Sequence, residues 1–331
     1  MRGQSPVFRA RRQGGRYTSR AGGADLTSTS TEYVLGAVGA FMASVTWAFA
    51  SVRYAAVARE VGDARVGLLR AVTASVLWCG VAVLSGGAPF ATIDLRHAAF
   101  LVGSIVCSYA LGDRVFFAAA HRVGVSTALA IATIYPLWAA LYGSLFRGEP
   151  FGLQRSLGVL ACLVGVSALL ALSRAGNVNT STVQAHALGG VLLALLTSLF
   201  WAGNAVLLKL GTEGPSIVQA NAVRFSSGVV LLALQLPRGK SPVAATSVRY
   251  TTLARRLALP LLADTGLGSI CFVYGIAHTD LALGATLSSL SPLVALPFAV
   301  ALGTERFSPG RALAVCLTLA GVLSLVTATS R

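Results

Sequence analysis

Apolar residues run through this chain in long unbroken stretches, not in alternation with polar ones. Ten stretches of 17 to 23 residues carry almost no charge: 34–54, 66–84, 98–120, 125–145, 156–172, 189–208, 218–236, 257–277, 281–302 and 312–328. A helix needs about 20 apolar residues to cross a bilayer, whereas a barrel strand alternates apolar and polar positions over about ten. The pattern therefore predicts an all-α integral membrane protein of ten transmembrane helices. The connections are short except for 173–188, rich in Ser, Thr and Asn, and 237–256, which carries five basic residues.

The stretches repeat. Ser44, Trp47 and Ala48 recur as Ser198, Trp201 and Ala202, and Arg70 recurs as Arg224, all 154 residues later. Further on, Pro136, Leu137, Glu149 and Gly165 recur as Pro292, Leu293, Glu305 and Gly321 at an offset of 156. Each half thus holds five spans. Five is odd, so the second copy enters the membrane from the opposite side and the halves form inverted repeats. The expected organisation is a disordered basic tail (1–33), a first five-helix repeat (34–172), a linker (173–188) and a second repeat (189–331).

Composition agrees with a membrane environment: 55% of the 331 residues are hydrophobic and 11% charged, with a mean hydropathy of +0.74, against about a quarter charged in soluble domains. The net charge of +15 lies partly in the tail, where Arg2, Arg9, Arg11, Arg12, Arg16 and Arg20 precede the first acid, Asp25. An organelle transit peptide and a plain cytosolic tail both fit this segment. Elsewhere the basic residues sit between apolar stretches, so their partner is the anionic lipid bilayer and not nucleic acid. With the N-terminus inside, basic residues number 11 inside and 12 outside, so charge alone does not orient the chain. Cys79, Cys107, Cys162, Cys271 and Cys316 lie in apolar runs without metal-ligand spacing, and the expectation is no cofactor and no metal.

Two stretches carry a resemblance. One runs from Gly112-Asp113 through His121 and Gly124-Val-Ser126 to Tyr135-Pro136-Leu137 and Gly148-Glu149. The other runs from Tyr274 and His278 through Ser288-Ser289-Leu-Ser291-Pro292-Leu293 to Glu305 and Ser308-Pro309. On these motifs and the doubled five-span unit, 34–328 resembles the EamA-like transporters of the drug/metabolite transporter superfamily. Gly303-Thr304-Glu305 departs slightly from the family's usual Gly-Glu. The resemblance implies an inner-membrane carrier, usually an exporter of small metabolites such as amino acids. It also implies cytoplasmic termini and a cavity lined by the first, third and fourth spans of each half.

Candidate site residues are polar groups in apolar spans, where they are costly. Asp113 and Asp264 read either as proton-coupling carboxylates or as helix-packing hydrogen-bond partners, with Arg114 beside Asp113 as a neutralising or snorkelling neighbour. Arg70 and Arg224 read as snorkelling side chains or as anion clamps, the second sharing its task with Asn221. Trp47 and Trp201 fall in mid-span, with Asn204 near the second, and suit a cavity wall or helix packing. Pro136 and Pro292 free the carbonyls of Ala132 and Ser288 and should kink both fourth spans. Thr133, Tyr135, Thr286, Ser288, Ser289 and Ser291 supply hydroxyls beside those breaks, as substrate binding or gating requires. His121 and His278 are expected at span ends, and Glu149 and Glu305 at interfacial turns.

The sequence carries no phosphate-cradling loop and no hydrolase motif, which disfavours ATP-driven pumping and an enzyme. The expected function is secondary transport of a small metabolite, an amino acid or related compound, exported by alternating access with proton antiport or facilitated diffusion. Its partners are then the small-molecule substrate, protons and the bilayer. Multidrug efflux ranks lower because 34–54 contains no acid. A non-transporting scaffold or receptor is the reading of another class. Monomer and homodimer stay open.

Overall fold

The computed structural model describes residues 22–88, 90, 93–123, 128, 131–149, 152–174, 183–236, 250–291 and 293–294, with 309–310, 313–314, 316–318, 320–321 and 324 in the last stretch. All regular structure among them is helical. Helix α1 covers Gly22–Val61 and α2 Asp63–Leu84. Helix α3 (Leu95–Ile105) continues through a π-helical segment, Val106–Gly112, into α4 (Asp113–Val123). Helices α5 (Tyr135–Arg147) and α6 (Leu153–Arg174) follow. The second half holds α7 (Val183–Gly211), α8 (Ile217–Leu234) and α9 (Tyr250–Leu261). A second π-helical segment, Leu262–Gly268, joins α9 to α10 (Ser269–His278), and α11 spans Leu281–Ser288.

Two helix starts follow from local side-chain capping. Asp94 accepts the His97 amide at 2.8 Å to begin α3, and Ser216 and Gln219 form a reciprocal capping box at the start of α8. Six helical stretches among the described residues are long and apolar enough to cross a membrane. Each predicted fourth span is interrupted among the described residues: 133–134 is a turn before α5, and 289–290 breaks the helix after α11. These breaks are 156 residues apart, as are the two π-helical segments.

Packing is that of a membrane protein. Small residues such as Ala40, Ala71, Ala139, Ala194 and Ala205 fill the interior, while Val76, Leu84, Leu192 and Leu259 face outward. Lipid removes the hydrophobic drive between helices, so close contact of small residues supplies the attraction. Helices α2 and α8 run antiparallel: Gly67 faces Leu232, Ala71 faces Gly228, and Ser75 Oγ lies 2.8 Å from Ser226 Oγ. Helix α1 lies antiparallel along the third span of the second half, with Gly36 against His278, Ala40 against Gly275 and Thr46 against Gly268. Toward its other end Tyr54 Oη donates to the Pro260 carbonyl at 3.1 Å. Reciprocally, α7 lies along the third span of the first half, with Leu207 against Gly103, Gly203 against Cys107 and Trp201 against Gly112. Gly112 and Gly268 end the two π-helical segments, and a Cβ at either would collide with the first span of the opposite half.

Several expectations shift. The first helix starts at Gly22, ahead of Val34, and residues 183–188 of the linker already belong to α7. Tail residues 1–21, linker residues 175–182, residues 237–249, and Ser126, Pro292, Glu305 and Ser308 lie outside the described residues. In place of a kink within one helix, Pro136 stands in the first turn of α5, where its missing N–H costs nothing. Gly165 packs against Ala314 and Thr318 of the same chain, and Gly321 against Gly158 and Cys162. All five cysteines are free thiols.

Candidate functional site

A cavity of about 150 Å³ lies where the two halves meet. The first spans contribute Trp47, Trp201 and Asn204, the second spans Arg70 and Arg224, and the third spans Asp113 and Asp264. The fourth spans add Thr133, Tyr135, Ser288 and Ser291 around their breaks. The sequence marks each of these as a candidate for binding substrate or anions, and the fold brings them to one place. Pro136 is buried in α5 behind that wall, and Asn221 is fully buried beside Arg224.

Arg70 is the hub of the first half-site. Its side chain is 3% exposed. Nη1 donates to Asp113 Oδ2 at 2.7 Å, Nη2 and Nε to Asp264 Oδ2 at 2.9 and 3.2 Å, and Nη2 to Tyr109 Oη at 2.9 Å. The rings of Trp47, Tyr54 and Tyr109 surround the guanidinium, with centroids 4.2 to 5.1 Å away. Helix α2 therefore holds a carboxylate from each half of the chain. A buried cation is tolerated in such a setting only with paired charges and satisfied donors, and Arg70 has both.

Arg224 sits differently although it is the repeat mate of Arg70. It is also buried, but its acceptors are neutral: Ser104 Oγ at 2.9 Å, Asn204 Oδ1 at 3.2 Å and Asn221 Oδ1 at 3.5 Å. No carboxylate pairs with it among the described residues. Snorkelling, expected for an arginine near a span start, occurs at neither residue, because polar groups from the third spans reach both inside the bundle. The anion-clamp expectation divides in the same way: Arg70 is occupied by the protein's own carboxylates, and Arg224 is not. Arg114 does not neutralise Asp113. It is directed away and donates to Gln235 at 3.2 Å.

The remaining candidates hold the framework. Glu149 accepts the Leu281 amide at 3.0 and 3.1 Å, so a carboxylate of the first half begins α11 of the second. Close by, Arg155 pairs with Asp280 at 2.5 Å, and Lys209 Nζ donates to the carbonyls of Ala277 and Thr279. His278 stacks on Tyr274, and His121 is exposed at the end of α4. No group of three or more metal-ligating side chains occurs among the described residues.

Reasoning from sequence missed Ser108, Tyr109 and Ser269, which also line the cavity. Tyr109 is an ordinary aromatic in an apolar run, without a sequence signal. The serines become visible once the two third spans are aligned at an offset of 156, where Ser108 falls on Asp264 and Asp113 on Ser269.

The model of the EamA-like transporter family matches residues 34–171 and again 188–327. The chain belongs to the EamA-like transporter family. One match falls in each half of the doubled sequence, and the family lies within the drug/metabolite transporter superfamily. An uncharacterized transporter of Archaeoglobus fulgidus is 25% identical over 266 residues, 80% of this chain and 88% of that protein. A solved crystal structure with 20% identity shares the fold, with a TM-score of 0.71 over 91% of this chain and 98% of its own. This EamA-like chain is therefore a multi-pass membrane protein of a transporter family.

Proposed function

We propose that this chain is a secondary transporter of the cell (inner) membrane that exports a small metabolite, an amino acid or related compound, by alternating access. Its ten transmembrane helices form two inverted five-helix repeats. The antiparallel course of α2 and α8, which are repeat mates, supports the inversion, as does the reciprocal packing of each first span on the opposite third span.

The observation that carries the reading is the Arg70 cluster in the cavity between the halves. Arg70 and Asp113 belong to the first half and Asp264 to the second, so the 2.9 Å pair of Arg70 with Asp264 is a bond that rearrangement of the halves must stretch or break. A proton on Asp264 removes its charge and loosens that bond, whereas a proton on Asp113 leaves Asp264 as the one anion on the guanidinium and tightens it. Proton binding and reorientation then share one element, which is what proton antiport requires. The interrupted fourth spans supply the polar side chains Thr133, Tyr135, Ser288 and Ser291 to the same cavity, as discontinuous helices do in carriers.

The test is efflux of a mixed labelled pool of amino acids and related metabolites from proteoliposomes, with and without an imposed pH gradient. Release of a compound only with protein present supports the reading, and gradient dependence separates antiport from facilitated diffusion. Retention of the whole pool counts against metabolite export and favours drug efflux or a non-transporting role.

A further inference from the structure

The two halves bury an arginine at matching positions, Arg70 and Arg224, and differ in the anions they place beside it. At Arg70 two third-span carboxylates complete the site: Asp113 from the same half and Asp264 from the other. The repeat offset that superposes the π-helical segments puts Ser269 at the place of Asp113, and Ser108 at the place of Asp264. Both serines line the cavity with Arg224. For Arg224 serines thus stand at the two repeat positions that carry the internal anions for Arg70, while the buried guanidinium remains.

A buried guanidinium facing only neutral acceptors among the described residues lacks compensation for its charge. Three of its five N–H groups are taken by Ser104, Asn204 and Asn221, one of them at a long 3.5 Å. Beside it stands a second incomplete donor: Asn221 is fully buried, its Oδ1 accepts from Ser269 at 2.7 Å, and its Nδ2 has no partner among the described residues. An unpaired cation and an orphaned amide N–H converge where the other half carries carboxylates.

Building on the transport reading, we infer that Arg224 is the anion subsite of the cavity and receives the carboxylate of a zwitterionic solute, such as a free α-amino acid. The Arg70 cluster has two carboxylates for one guanidinium and faces the same cavity, so the solute's ammonium group finds its counter-charge there. The planar guanidinium takes a carboxylate in two parallel hydrogen bonds, and Asn221 Nδ2 supplies a further donor. Specificity follows from the unfilled donors: a solute without the carboxylate leaves them buried and unpaired.

The experiment uses the purified full chain and its tryptophan fluorescence, since Trp47 and Trp201 line the cavity. Each common L-amino acid is titrated singly, and the tightest is compared with its amine and its carboxamide. The expected result is binding of at least one acid, with both analogues weaker by about tenfold or more. Ser269→Asp restores the missing internal carboxylate and is expected to weaken acid binding by about tenfold or more while the protein stays folded. Ser108→Asp repeats the test from the other vacated place if that variant fails to fold. Binding of no acid, equal binding of acid and carboxamide, or unchanged binding in a folded aspartate variant overturns the inference. A protein that moves uncharged or cationic solutes across liposomes yet binds no acid keeps the transport reading and loses this one. A protein whose acid binding is abolished by the aspartate variants but which transports nothing keeps the anion subsite and loses the transport reading.

Discussion

Arg70 Nη2 holds Asp264 Oδ2 at 2.9 Å across 194 positions of sequence, and so ties the second span of one repeat to the third span of the other. The same guanidinium holds Asp113 at 2.7 Å. Replacing it with methionine would leave two carboxylates facing each other in the bundle. Arg70→Met is therefore expected to cost about 3–5 kcal/mol, the range for breaking a buried pair from one side. Thermal unfolding in detergent measures this, and adding Asp264→Asn should recover part of the loss. An unchanged melting temperature in Arg70→Met would remove the cluster from the stability account.

Asp113 and Asp264 are distinguished by neutralising them one at a time. Asp113→Asn leaves Arg70 a single carboxylate and removes a group that can take a proton during the cycle. Efflux driven by a pH gradient is expected to fall by about tenfold or more, with exchange down the solute's own gradient less affected. Full gradient-driven flux in this variant would transfer the coupling role to Asp264 or remove it.

Gly275 is a packing requirement. A Cβ there would lie 2.7 Å from the Ala40 backbone nitrogen and 2.8 Å from its Cα, and backbone cannot give way as a flexible side chain can. Gly275→Ala is expected to destabilise by about 1–3 kcal/mol through overpacking of α1 on α10. Gly67 is the contrast: its added Cβ would meet Leu232 at an ordinary 3.7 Å, so Gly67→Ala should be neutral or stabilising by up to about 1 kcal/mol. Equal melting temperatures for the two variants would contradict the close crossing.

Glu60 and Arg256 form an exposed pair at 2.6 and 2.8 Å, and the hydrogen bonds hold the Glu60 carboxyl below its usual range. A lowered carboxylate contributes stability above its unfolded pKa and loses it as pH falls through the folded value. Solvent screens this pair, so Glu60→Gln should leave the melting temperature at neutral pH unchanged within error. A clear drop would mean that the contact between α1 and α9 is shielded from water in the bilayer.

Much of this molecule is legible as a pattern. Long apolar runs identify the spans because lipid offers the backbone no hydrogen bonds. Internal repetition identifies the two halves, and the family model matches once in each, at 34–171 and 188–327. The candidate residues gather in one cavity because polar groups in apolar spans turn inward, as at Trp47, Asp113, Asn204 and Ser288. Pro136 departs from expectation because a proline inside an apolar run reads as a kink, whereas the turn at 133–134 lets it begin a helix.

The sequence by itself determined that the chain is an all-helical membrane protein, that it is doubled, and which side chains are too polar for their apolar stretches, since each of these is a property of the sequence pattern. The tertiary structure alone decided that Arg70 pairs with a carboxylate from each half and Arg224 with none of those described. Two arginines at matching positions of the repeat part ways there. The partners that separate them stand 43 and 194 positions from Arg70 and 120 from Arg224, and only the packing of helices selects which carboxylate or serine each one meets.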